Sequence, residues 1–163
     1  MENNIGSPNQ QGVKAIRILF IALIAGVLML ILVSLIINQT TVPLAPEYNE
    51  YGLQLKIFLA IICLVAMLVA KSRFNKEITI AKESLIPVSE KLNMHRVALI
   101  KYVAICEAPA IFSVLVFMFT GDFGFLVFSA VLLGFIFVMF PTVTKLATQL
   151  GLSSQEKEEL ESK

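Results

Sequence analysis

Tryptophan is absent, and histidine occurs once, as His95. A single imidazole excludes a bis-histidine haem, and the chain has no GxSxG, P-loop or HExxH pattern on which to assemble a hydrolase or nucleotide site. Cysteine is nearly as scarce. Cys63 and Cys106 fall inside apolar runs without CxxC spacing, so they read as small buried hydrophobes and not as a disulfide or metal pair. Charge is also thin: 15% of the 163 residues are Asp, Glu, Lys or Arg, with a net charge of +1. That balance gives no argument for a nucleic-acid partner or an acidic substrate. No cofactor, no metal and no enzyme activity are expected.

What the chain does have is apolar length. Hydrophobic residues make up 57% of it, and they are gathered into runs. Residues 18–37 and 123–140 carry no charge at all, and each is near the length that crosses a hydrocarbon core of ~30 Å at ~1.5 Å rise per residue. A chain this short cannot hide both runs all round inside a soluble core. The expected fold is therefore all-α, an integral membrane four-helix bundle.

Taken in order, residues 1–13 are polar, contain Gly and Pro, and are expected to form a disordered tail. Lys14 and Arg17 precede the first span, 18–37, which exceeds a signal-peptide core and lacks a small-x-small cleavage site after it. The 38–52 stretch, with Pro43 and Pro46, reads as an extended loop. A second span follows over 53–70, with Lys56 able to snorkel to the interface.

The 71–96 segment is the most basic. Its Lys71, Arg73 and Lys76 are candidates for contact with lipid headgroups. Pro87 suits a helix start, from which a third helix reaches the membrane near Val97 and spans 97–120. Thr120-Gly121-Asp122 turns the chain into the fourth span, 123–140, which Pro141 stops or kinks. In the 141–163 tail, Val143, Leu146, Ala147 and Leu150 share a helical face and Gly151 stands as a C-cap, so a short amphipathic helix should lie at the interface. Ser153 to Glu156 has the form of a capping box.

The 14–140 region thus holds the bundle, built as two hairpins. Twelve of the thirteen Lys and Arg residues fall in segments that four crossings bring to one side. By the positive-inside rule both termini are cytoplasmic, in a bacterial inner membrane. Each span offers a small-xxx-small pair for close helix approach: Ala22/Gly26, Ala66/Ala70, Ala104/Ala108 and Ala130/Gly134.

One residue stands out within the spans. Glu107 is the only acid set among apolar residues of a span, and Pro109 follows two positions later. An ionisable side chain at such depth is a functional-site hypothesis in itself. Lys101 is six residues away, not at the i+3 or i+4 spacing that pairs side chains on one helix. Pro109 cannot donate to the Ile105 carbonyl, which frees an acceptor beside the acid, and Ser129 or Cys63 could reach it from a neighbouring helix.

Glu107-Ala108-Pro109-Ala110-Ile111-Phe112 resembles the carboxylate helix of rotary ATP synthase c-type proteolipid subunits. The resemblance implies that Glu107 is a proton-binding carboxylate. The chain departs from that family in lacking a Gly-rich first helix and in placing the acid on its third helix. As a whole it resembles small four-span bacterial inner-membrane proteins of unassigned role. The expectation is a non-enzymatic structural or accessory component, partnered by the bilayer and by a second copy or another membrane subunit. The alternative is a proton- or ion-translocating subunit that uses Glu107.

Overall fold

The computed structural model describes residues 8–40 and 50–161, and among these no strand occurs. Six helices follow one another: α1 (Pro8–Thr40), α2 (Gly52–Glu83), α3 (Val88–Thr120), α4 (Gly124–Val138), α5 (Val143–Leu150) and α6 (Ser154–Glu161). The first seven residues and most of the expected 38–52 loop lie outside the described residues.

Two elements are longer than their apolar runs. α1 begins at Pro8, inside the expected disordered tail, because Val13, Ile16 and Phe20 extend its buried face at i, i+3, i+7. α2 continues past Ala70 to Glu83 because Phe74, Ile78 and Ala81 carry its buried stripe through the basic segment. α3 starts directly after Pro87 and ends on Gly121, whose φ of 71° and N–H bond to the Phe117 carbonyl close the helix in the left-handed conformation.

The packing departs from the expected pair of hairpins. α3 is the hub, lying against α1, α2 and α4, whereas α1 and α2 hardly touch each other. The difference shows in how much of each helix is covered. In its most apolar window α3 buries 44% of residues, against 17% each for α1 and α2. A helix with one narrow buried stripe needs little cover, and α3 is the main neighbour of both, with α2 also touching α4 and α5 and α1 touching α6. Tyr102, Val103, Cys106, Ala110 and Phe117 line the centre, with Phe20, Leu59, Leu132 and Ile136 brought in from around them.

The outer surface is as informative as the core. Large apolar side chains stand exposed along α1 from Ile18 (69%) to Ile36 (62%), along α2 from Leu53 to Val69, and from Phe123, just before α4, to Val138 at its end. A continuous apolar belt of this extent marks a surface made for lipid. Three helices are long and apolar enough to cross a membrane. The fourth expected crossing is different. α4 has 15 residues, ~22 Å at ~1.5 Å per residue, and the chain then breaks by 72° into α5.

That break is stitched. Thr142 caps α5 by accepting from the Lys145 N–H at 3.3 Å, Lys145 Nζ donates to the Val138 carbonyl at 2.7 Å, and Arg17 Nε of α1 donates to the Pro141 carbonyl at 3.1 Å. α5 buries Leu146 and Leu150 with Val13, Ala81, Leu92 and Leu160 in a second, smaller core at the end of the bundle. Three of the four small-residue pairs do not face this interior: Ala22/Gly26, Ala104/Ala108 and Ala130/Gly134 all lie on the outside.

Candidate functional site

Glu107 lies near the middle of the apolar part of α3, half-buried, and its side chain makes no hydrogen bond or ion pair among the described residues. Its place around the helix follows from register. Ile105 and Pro109 line the seam with α2, and at 100° per residue Glu107 points well away from that seam. Arg96 lines a groove with Gly12 and Ile16 of α1, and eleven residues, about three turns, bring Glu107 back to that same side. Ala104 and Ala108 flank the acid and are exposed, so the surface beside the carboxyl is shallow.

Pro109 is buried within an uninterrupted helix. Its missing N–H leaves the Ile105 carbonyl without its usual donor. Ser129 goes elsewhere. One turn further along, Ser129 Oγ and Ser113 Oγ each lie 2.8 Å from the Ala110 carbonyl oxygen, and the two hydroxyls also contact each other. Two hydroxyl protons serve these contacts, so one serine donates to the carbonyl while the other donates to its partner or shares the carbonyl. This knot joins α3 to α4 in the buried interior, and it does not include Glu107. Cys63 and Cys106 are both buried free thiols.

Other polar groups in the apolar zone are tied down as well. Tyr102 OH donates to the Phe135 carbonyl at 3.2 Å, Ser34 Oγ to the Ile31 carbonyl at 2.7 Å, and Asn38 Nδ2 to the Phe117 carbonyl at 3.4 Å. At the α3–α4 turn Lys56 Nζ lies 2.6 Å from Asp122 Oδ2. The Lys56 ammonium holds the Asp122 carboxyl below the usual carboxylate range, helped by the Gly124 N–H that donates to it.

At the opposite end, Lys71, Arg73 and Lys76 are all exposed on α2. They do not share one face. Arg73 falls on the stripe that joins Val69 to Glu77, while Lys71 is turned some 200° from it. Two features go beyond the sequence reading above. His95 is 1% exposed and packs edge-on against Phe74, with its Nε2 2.9 Å from Gln149 Oε1 and its Nδ1 without a hydrogen-bond partner among the described residues. The signal was present, since Leu92, His95, Leu99 and Tyr102 repeat at the spacing of one buried face. Lys101 pairs with Glu77 at 2.8 Å, across helices, which no spacing within one helix discloses.

Among the described residues no cluster of His, Cys, Asp and Glu side chains could hold a metal ion. Compared with known proteins, the chain matches no family model, no curated protein and no solved structure.

Proposed function

We propose that this chain is a multi-pass protein of a bacterial inner membrane, with both termini cytoplasmic, that serves as a non-enzymatic structural or accessory component. It associates through the Glu107 side of α3 with a second copy or another membrane subunit. The observation that carries this reading is the half-exposed, unpartnered Glu107 between the outward-facing Ala104 and Ala108. In lipid, small residues let a second helix approach closely, and a polar group at the contact gains a partner it otherwise lacks. The other polar groups described above are occupied in holding the bundle together, which leaves this acid available.

The test is purification in mild detergent followed by mass measurement and crosslinking. The wild type should run as a complex, Glu107→Leu and Ala108→Leu should weaken it, and Glu107→Gln should retain most of it. A wild-type particle that is always monomeric and partner-free would sink the proposal.

A second reading is supported by the depth of Glu107, a carboxyl set among apolar residues near the middle of a span and able there to take up and give back a proton. The chain would then conduct protons or ions. Reconstituted vesicles containing a pH-sensitive dye separate the readings: Glu107→Gln should abolish flux, and flux equal to that of the wild type would remove the transport reading.

A further inference from the structure

The α2–α3 seam has a polar end and an apolar end. Nearest the 84–87 connection lies a groove of about 350 Å³ whose walls include Glu77, Ile80, Asn93, Val97 and Lys101. Beyond it the seam opens again into a groove of about 400 Å³, lined by Val65, Val69, Ile105 and Pro109 among others and carrying no polar side chain. The Lys101–Glu77 pair stands at the junction, with a separation of 2.8 Å and side-chain exposures of 55% and 30%. Arg73 is exposed, and it occupies the α2 stripe position between Val69 and Glu77, four residues from each.

We infer that this seam binds one phosphatidylethanolamine molecule. Lys101 and Arg73 take its phosphate, Glu77 takes its ammonium, and an acyl chain lies along Val69, Ile105, Val65 and Pro109. Three considerations select this occupant. The first is depth: Lys71 and Arg73 are the first charged residues after the exposed apolar stretch of α2, so the pair stands at headgroup level with the apolar groove directly beneath it. The second is charge. Two cations and one carboxylate side by side complement a headgroup that carries both signs, whereas an anionic lipid without an amine brings no cation to meet the Glu77 carboxylate. The third is hydrogen bonding. A primary ammonium donates to Glu77, as the quaternary ammonium of phosphatidylcholine cannot. Both partners of the existing ion pair are exposed enough to turn toward a ligand, and an exposed pair of this kind resists separation only weakly.

This inference rests on the membrane reading, and the two fail separately. A chain released from membranes by alkaline carbonate would overturn the membrane reading. The lipid site is tested on full-length protein extracted in mild detergent, presented with phosphatidylethanolamine, phosphatidylcholine or phosphatidylglycerol of one acyl composition, and followed by native mass spectrometry. One phosphatidylethanolamine should remain bound under activation that strips the other two. Glu77→Gln should cut that preference about tenfold and move it toward phosphatidylglycerol, while Lys101→Arg should preserve it. Equal retention of the three lipids by the wild type, or a preference that survives Glu77→Gln, would overturn the site.

Discussion

At the residue scale, Ser34, Tyr102, Ser113 and Ser129 are tied by hydrogen bonds within the bundle, whereas the Glu107 side chain has no partner among the described residues. The knot at the Ala110 carbonyl is among those ties. Ser129→Ala should lower stability in detergent by about 1 kcal/mol. Because Ser113 and Ser129 share one carbonyl and touch each other, the double replacement should cost less than the two single losses added together. Thermal unfolding of the four proteins of that cycle provides the check, and strict additivity would show that the hydroxyls act independently. Asp122 gives a second prediction, with a definite sign. Its folded pKa is depressed, first by the Lys56 contact. Its contribution is therefore complete above the unfolded value near 3.9 and is lost as pH falls through the folded one. Lys56→Met should make the melting temperature less dependent on pH across that acid range. An unchanged acid limb would detach Asp122 from the stability of the turn.

At the scale of elements, helices were legible wherever one kind of residue ran unbroken, and less so where polar residues interrupted the run. The uncharged runs at 18–37 and 123–140, the start after Pro87, the break at Pro141 and the Gly151 cap all leave marks that a single pass can read. The capping box does too: Ser153 N–H donates to Glu156 Oε2 at 2.7 Å and the Glu156 N–H returns to Ser153 Oγ at 3.3 Å. The second half of α2 was missed because Lys71, Arg73 and Lys76 outweigh, in a simple count, the sparse stripe of Ala70, Phe74, Ile78 and Ala81 that keeps it helical. The pairing of α1 with α3 was beyond reach for a different reason, since it depends on how two faces fit and not on either one alone. Glu107 itself was legible as an isolated acid, but its flank of the helix follows only from knowing where α1 and α2 lie. The docking of α5 invites a test at this scale. Leu150 is fully buried in the end core, and the neighbouring Gln149 meets His95. Leu150→Asp should detach the short helix without unfolding the spans, seen as faster tryptic cleavage after Lys145 and Lys157 with an intact fragment below. Cleavage at the wild-type rate would mean that α5 stays docked without Leu150.

At the scale of the whole molecule, the exposed apolar belt and the distribution of basic residues make a joint prediction. The protein should resist alkaline carbonate, dissolve in detergent, and carry an active fluorescent reporter when that reporter is fused at the C-terminus, while a reporter that functions only after export should work when inserted at the α3–α4 turn. An exported C-terminus would reverse the proposed orientation while leaving the bundle itself untouched.

The shortness of α4 has a further consequence. With 15 residues before the 72° break, α4 itself rises ~22 Å where the hydrocarbon core offers ~30 Å. Lipids along α4 must shorten or tilt to match it, while lipids along α1 and α2 need not. Hydrophobic mismatch of this kind costs a fraction of a kcal/mol per Å, and it is relieved when two thin walls meet. In the four-span arrangement proposed above, the molecule would pinch the bilayer on that side, and that side would be drawn toward any neighbour that pinches it too.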